Sequence, residues 1–147
     1  MPYIKLLLTL AISFIIMYAV MFLNVDDTSH LYLSLTRTYM AILMVAPMAI
    51  VMLFTMGKMY PNKKLNYSIM ALGLLAIVVV TCMLRLQTFI GDKAYMQAMI
   101  PHHSSAILTS KHAHITDPEV KALSEQIIKS QEEEIKQMKA ILQRMKQ

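Results

Sequence analysis

The sequence predicts an all-α protein in two parts: three transmembrane helices over residues 1–90, then an extracytoplasmic antiparallel two-helix hairpin over residues 91–147. Three observations lead there. Apolar runs at about 6–23, 38–56 and 65–84 have the roughly 20 residues that a helix needs to cross a hydrocarbon core. After Gly91 the chain turns charged, with apolar residues recurring at helical spacing, and nowhere does it alternate as a half-buried strand would. At 56% hydrophobic and 16% charged over 147 residues, the whole is too apolar for an ordinary soluble domain.

The first run, Leu6 to Leu23, carries no charge. Lys5 in front of it also suits a signal peptide, but the run exceeds a usual signal core and no small-residue cleavage site follows, so an uncleaved anchor is expected. The second run, Thr38 to Met56, contains Pro47, which membrane helices accept by re-satisfying the freed carbonyl. The third, from about Leu65 to Leu84, contains Gly73 and ends at Arg85, placed to snorkel.

Charge orients these spans. Residues 1–91 hold six Lys/Arg against two Asp, while residues 92–147 hold eight against seven acids, within a formal total of +5. The excess lies beside the spans, so it argues topology and not nucleic-acid binding. Gly57 to Lys64 carries Lys58, Lys63 and Lys64, whereas Asn24 to Ser34 carries Asp26 and Asp27 and no Lys or Arg. Short cationic loops stay cytoplasmic, which sets the N-terminus inside the cytoplasmic (inner) membrane and the C-terminal part outside, periplasmic or extracellular. Arg37 and Arg85, at the outer ends, run against this orientation. Cys82, the one cysteine, excludes an intrachain disulfide.

In the C-terminal part, Gly91-Asp92 reads as a helix stop at glycine and a restart capped by Asp92. That helix is expected to reach about His114. Thr116-Asp117-Pro118-Glu119 supplies a second N-terminus, with a cap, a proline at the first helical position and an acid in the first turn. The final helix then runs from Pro118 almost to Gln147.

Turning about 100° per residue, Met96, Met99, His103, Ala106, Ile107 and Ser110 share an arc of about 100°. His102 falls at the edge of that stripe, His112 on the solvent side, and His114 returns to the inner face at a fraying end. In the last helix Val120, Leu123, Ile127, Gln131, Glu134, Met138, Ile141, Leu142 and Met145 form the inward stripe. Lys121, Glu125, Lys129, Glu132, Lys136 and Lys139 lie opposite, spaced for ion pairing along the helix. Glu134 stands among apolar neighbours and wants a cationic or metal partner across the hairpin. Pro101 interrupts the first helix and bends it beside the two histidines.

Two thioethers and two imidazoles within Met96 to His103 suit a soft, thiophilic metal better than magnesium or calcium. The same residues serve equally as packing and as a hydrogen-bonded core histidine. A methionine row in the second span, Met40, Met44, Met48, Met52 and Met56, is open to two readings as well: helix packing, or a thioether path for Cu(I) with Met17, Met21, Cys82 and Met83. There is no H-E-x-x-H, no phosphate loop, no triad order and no paired-carboxylate spacing, so an enzyme is not expected, with copper redox chemistry left open.

Met99-Ile100-Pro101-His102-His103, with Asp92 and Met96 before it and Asp117-Pro118-Glu119-Val120, Ile127-Ile128, Gln131, Glu134-Ile135 and Met138 after it, resembles family 305 of the domains of unknown function. The resemblance spans about Asp92 to Leu142. It implies a ferritin-like helical half-bundle and a copper-related role, binding or tolerance outside the cytoplasm, for Met96, Met99, His102, His103, Glu134 and Met138. Thr109-Ser110 departs from the Met-Ala pair of many relatives, and residues 1–91 lie outside the resemblance. The Glu-x-x-His pairs of di-iron bundles are absent.

The leading expectation is a membrane-anchored, extracytoplasmic copper-binding protein, Cu(I) before Cu(II), with the bilayer and copper-handling proteins as partners and no nucleic acid. The alternative is a non-metal assembly module. Both expect a homo-oligomer, since a hairpin of some 55 residues buries only one seam and two hairpins complete a four-helix bundle.

Overall fold

The computed structural model describes residues 2–145. Five α-helices follow one another: α1 (Pro2–Val20), α2 (Leu35–Thr55), α3 (Lys63–Arg85), α4 (Asp92–His112) and α5 (Pro118–Arg144), with short 3-10 turns at Thr28–His30 and Gly57–Met59 and no strand among the described residues. The chain divides into two compact units. One takes in the chain up to Met21 together with Thr36–Phe89; the other takes in Phe22–Leu35 and the chain from Ile90 onward.

In the first unit, α1, α2 and α3 are long and apolar enough to cross a membrane. Few of their apolar side chains are buried, and many are open, Leu7 and Ile15 at 67% exposure and Leu72 at 66% among them. Such surfaces are out of place in water and match lipid. The helices meet at one end, where Leu6, Leu53 and Tyr60 are buried with Tyr3, Leu10, Met52, Ile69 and Met70 around them. Gly73 admits a close approach of α2: a Cβ added there would sit 3.2 Å from Ile50 Cγ1. Arg37, at the start of α2, donates to the Met21 carbonyl just past the end of α1. An arginine on that side is thus taken up by the backbone carbonyls that a helix end leaves free.

The stop after α3 differs from expectation. Gly91 has an extended ψ and acts as the N-cap of α4, so Asp92 is the first helical residue and not the cap. The left-handed positions are Gln87 (φ 52°) and Phe89 (φ 61°). Gln87 N–H reaches Leu84 O at 3.4 Å and Thr88 N–H reaches Met83 O at 2.9 Å, the paired bonds of a Schellman end with glutamine where glycine is usual. Tyr39 Oη holds this turn by donating to Thr88 O at 2.8 Å.

In the second unit α4 and α5 pack together. Contacts run in opposite directions along them: Ser124 Oγ donates to Ser110 O, while His103 faces Glu134. Asp117 caps α5 as expected, accepting from the backbone N–H groups of Glu119 and Val120. The core is Met96, Ile100, Ile107, Ile135 and Leu142, with Tyr32, Ile128 and Met138 packed against it. The segment Phe22–Leu35, which connects α1 to α2 and reads in the sequence as a loop, belongs to this unit.

Candidate functional site

The site is built on the middle of α4, which continues through Pro101 without a break. Around it the buried residues are Met96, Ile100, Pro101, His103, Ser104 and Ile107. The expected stripe is therefore turned: Met96, His103 and Ile107 are in it, but Met99, Ala106 and Ser110 are only half-buried, and Ile100 and Ser104 take their places. The corresponding turn in α5 buries Ser124, Ile135 and Leu142 and leaves Val120, Leu123, Ile141 and Met145 exposed. The cause is the connecting segment, which adds a third wall on the Ser104 side.

Its hold on the helices is specific. Asp26 N–H donates to Ser104 Oγ at 2.8 Å, His30 Nδ1 lies 2.9 Å from the same oxygen, and Asn24 Nδ2 donates to Ser105 Oγ at 2.8 Å. Lys111 bonds Asp26 at 2.8 Å, Lys139 bonds Ser29 Oγ at 2.9 Å, and Tyr32 packs on the core. Burial, and then Lys139, push the His30 imidazole below its ordinary value, against the opposing pull of Asp27 and Asp26. A neutral ring lets Ser104 O–H donate to Nδ1 while its lone pairs accept from Asp26, so every buried polar group there is paired. A cavity of about 400 Å³ remains between this strap, α4 and α5, lined by Asp26, His30, Glu132 and Lys139 among others. Neither His30 nor Ser104 could be picked out in the sequence, because a loop histidine has no periodicity to give it a face.

His103 occupies the other flank. It is 9% exposed, and its Nδ1 lies 2.9 Å from Glu134 Oε2. The separation is that of an ion pair, but the ring N–H does not point along it, so this buried nitrogen makes no hydrogen bond. Burial pushes the His103 pKa down, Glu134 raises it less, and His102 adds to the lowering. The ring is therefore held in its neutral form, the one that binds metals. Glu134 has a second contact, accepting from Ser130 Oγ at 3.1 Å. Its side chain is 46% exposed, so it is not enclosed among apolar residues as its place in the stripe implies.

The other expected residues divide. Met96 is buried in the core, Met138 packs against that core half-exposed, and Met99 is half-buried beside the His103 turn. His102 is exposed, its ring edge-on to that of His103 with centroids 6.1 Å apart. His112 points to solvent and bonds its own helix at Leu108 O; His114 lies beyond the end of α4 and is exposed, not on an inner face. Among the described residues no three of His, Cys, Asp and Glu converge as a metal group. Met40 and Met44 lie exposed on α2 and Met56 lies exposed just past its end, and Met52 packs against the cluster of Leu6, Leu53 and Tyr60.

Known proteins match this chain at two scales. A family model described as domain of unknown function (DUF305) matches residues 85–147, which hold α4 and α5. The uncharacterized protein L153 of Acanthamoeba polyphaga mimivirus is 37% identical over 144 residues, covering 96% of this chain and 93% of its own, so the likeness runs through the apolar helices as well. No solved structure matches. The chain belongs to the DUF305 family through residues 85–147, and it shares nearly its whole length with a viral relative.

Proposed function

We propose that this protein is a membrane-anchored metal-binding protein, in which α1–α3 cross the bilayer and α4 and α5 form an extracytoplasmic hairpin that takes copper. The observation that carries the reading is the His103 Nδ1: buried, without a hydrogen bond, and 2.9 Å from a carboxylate. An orphaned buried nitrogen costs free energy unless something engages the ring. A carboxylate against one imidazole nitrogen fixes the tautomer that leaves the other nitrogen to a metal. With the Glu134 carboxylate 2.9 Å from Nδ1, the proton is favoured on that nitrogen, Nε2 carries the lone pair, and Met99, Met96 and Met138 supply thioethers. A set with one imidazole and thioethers, and without a third acid or histidine, fits Cu(I) before Cu(II) and fits zinc or calcium poorly.

The rest of the reading follows from placement. The strap between α1 and α2 packs against helices that follow α3, as three crossings with both connections on one face require. The cationic Gly57 to Lys64 turn puts that face outside the cytoplasm. The open flank, with Val120, Leu123, Ile141 and Met145 exposed, is closed by a second hairpin in a ferritin-like four-helix bundle, which also brings His102 to the metal. Copper-handling proteins load or unload the site, and the outcome for the cell is copper tolerance by binding, without catalysis. The same exposed strip favours a second reading, a metal-free assembly module in which His103 and Glu134 only set register.

Titration of the full-length protein in detergent with Cu(I), against a competing chromophoric chelator, separates the two. His103→Ala and Met99→Ala weaken binding under the copper reading, and unchanged affinity in both sinks it. Oxygen consumption by the copper-loaded protein above that of the metal-free form would replace the passive binder with an oxidase.

A further inference from the structure

The unit formed by α1, α2 and α3 contains six Lys/Arg and no Asp or Glu. Four of those cations gather at one end. Tyr3 Oη bonds Asn66 Oδ1 at 2.8 Å and Asn62 O at 3.2 Å, which ties the start of α1 to the turn between α2 and α3. Tyr3 and Tyr60 pack ring against ring at 5.5 Å. That clamp sets Lys5 beside the turn bearing Lys58, Lys63 and Lys64, and all four side chains are exposed. Beneath them a cleft of about 390 Å³ is lined by Pro2, Lys5, Met59, Tyr60 and Pro61.

Nothing within the unit accounts for these charges. It offers no acid to pair them, and Lys63 and Lys64 sit in the first turn of α3, where a cation opposes the helix dipole. Their ammonium groups are unneutralised and stand where apolar helices end in tyrosines, the level at which bilayer headgroups lie. Tyr67, 70% exposed one turn into α3, adds a third amphipathic ring at that level.

We propose that this end of the molecule is a binding site for the phosphodiester headgroups of anionic phospholipids, with Lys5, Lys58, Lys63 and Lys64 as its cationic ring and the Pro2–Tyr60 cleft as the seat of one headgroup. The proposal rests on the reading that α1–α3 cross a bilayer. The lipid is favoured over a nucleic acid or an acidic protein because lysines and tyrosines lie at the edge of the apolar surface and not on a separate polar face. Each lysine near an anionic surface is worth about a fivefold preference, so four acting together give a large one.

The full-length protein in non-ionic detergent is equilibrated with equal amounts of phosphatidylglycerol and phosphatidylcholine, and the retained lipid is quantified by mass spectrometry after gel filtration. Phosphatidylglycerol is expected in at least about tenfold excess. The variant Lys5→Gln/Lys58→Gln/Lys63→Gln/Lys64→Gln brings the ratio near unity. Arg85→Gln/Lys93→Gln/Lys121→Gln/Lys129→Gln, which removes as much charge elsewhere, keeps the excess. Far-UV circular dichroism confirms that both variants keep their helices. A wild-type ratio near one, an excess that survives in the first variant or vanishes in the second, displacement of the lipid by millimolar inorganic phosphate, or its displacement by nucleic acid overturns the proposal. Release of the wild-type protein from cell membranes by alkaline carbonate refutes the bilayer reading itself, and retention with no lipid preference refutes the headgroup site alone.

Discussion

The two units of this chain solve opposite problems. The first has no acids, uncovered apolar helices and a small buried cluster at one end; the second carries all nine acids, a compact apolar core and a polar strap. On the proposed reading of α1–α3 as membrane spans, the stability of the first comes from the match between apolar surface and lipid. In the second it comes from burial and from side-chain hydrogen bonds that only a particular partner satisfies. The lesson is that a substitution should be judged by the solvent its unit needs. With α1–α3 in a bilayer, as proposed, a charge on an exposed apolar position is expected to be ruinous in one unit and harmless in the other.

The sharpest break of that contrast is Leu74→Arg. Leu74 is 59% exposed at the middle of α3, so in water the change would be nearly silent. At the centre of a bilayer helix an arginine costs about 2.5–3.5 kcal/mol on insertion scales. Membrane insertion measured by glycosylation mapping or carbonate extraction is expected to fall sharply, whereas Gln126→Arg on the exposed face of α5 leaves it unchanged. Equal insertion of both would remove the membrane reading of α3.

Ile100→Ala comes next. Ile100 is fully buried in the second unit, so truncation opens a cavity and costs roughly 2–5 kcal/mol. Chemical denaturation followed by far-UV circular dichroism should show the loss in the transition of α4 and α5. The same change at Ile15, which is exposed on α1, should leave that transition where it was.

A smaller and more local effect is expected at the strap. Ser104→Ala leaves Asp26 N–H and His30 Nδ1 without their shared partner, at about 1–3 kcal/mol for unsatisfied buried groups. Hydrogen exchange should quicken over residues 24–32 while the α5 amides keep their protection. This strap also has a pH dependence with a definite sign. Burial lowers the His30 and His103 pKa values from 6.5, so the unfolded chain takes up more protons than the folded one below that value. The stability that these neutral rings contribute is present above pH 6.5 and is lost as pH falls through the folded values. His30→Gln should flatten the part of the acid loss that is seen as strap exchange, and acid exchange rates identical to wild type would refute the role of the ring. Asp26, Asp27, Lys111 and Lys139 face His30 in both forms and bias where the loss falls.

How far the sequence carries can be judged from the same two units. Three uncharged runs of membrane length foretold three long apolar helices, and α1, α2 and α3 lie within a few residues of where hydropathy placed them, because length and apolarity can be read directly from the sequence. Asp117-Pro118 named the start of α5 for an equally local reason, a side chain bonding backbone two and three residues on. The faces were less legible. A helical wheel assumes one covered side, but α4 is covered by α5 on one flank and by the strap on the other, so Ile100 and Ser104 are buried where Met99 and Ser110 had been expected. The contact of Ser104 with Asp26 and His30 spans more than seventy residues, and nothing local encodes it. Within the candidate site the approach of His103 and Glu134 was readable from their places on facing stripes, whereas the half-exposure of Glu134 was not, because it depends on what covers the open flank.

The smallest expected effect tests that pair directly. Glu134 raises the His103 pKa while burial lowers it more, so Glu134→Gln should lower it further and by less than burial does. Two-dimensional NMR of the imidazole protons against pH gives both values. Glu134 is half-exposed, and water screens most of its field, so the change in stability should stay within the 0–1 kcal/mol of a surface pair. Metal binding discriminates further. If the carboxylate orients the ring for copper, Glu134→Gln weakens Cu(I) affinity by more than the pKa change accounts for, because an amide turned the wrong way presents N–H to N–H. If the pair only sets register, the affinity stays as it was, and His103 titrates in the variant as a buried histidine with no ligand to hold.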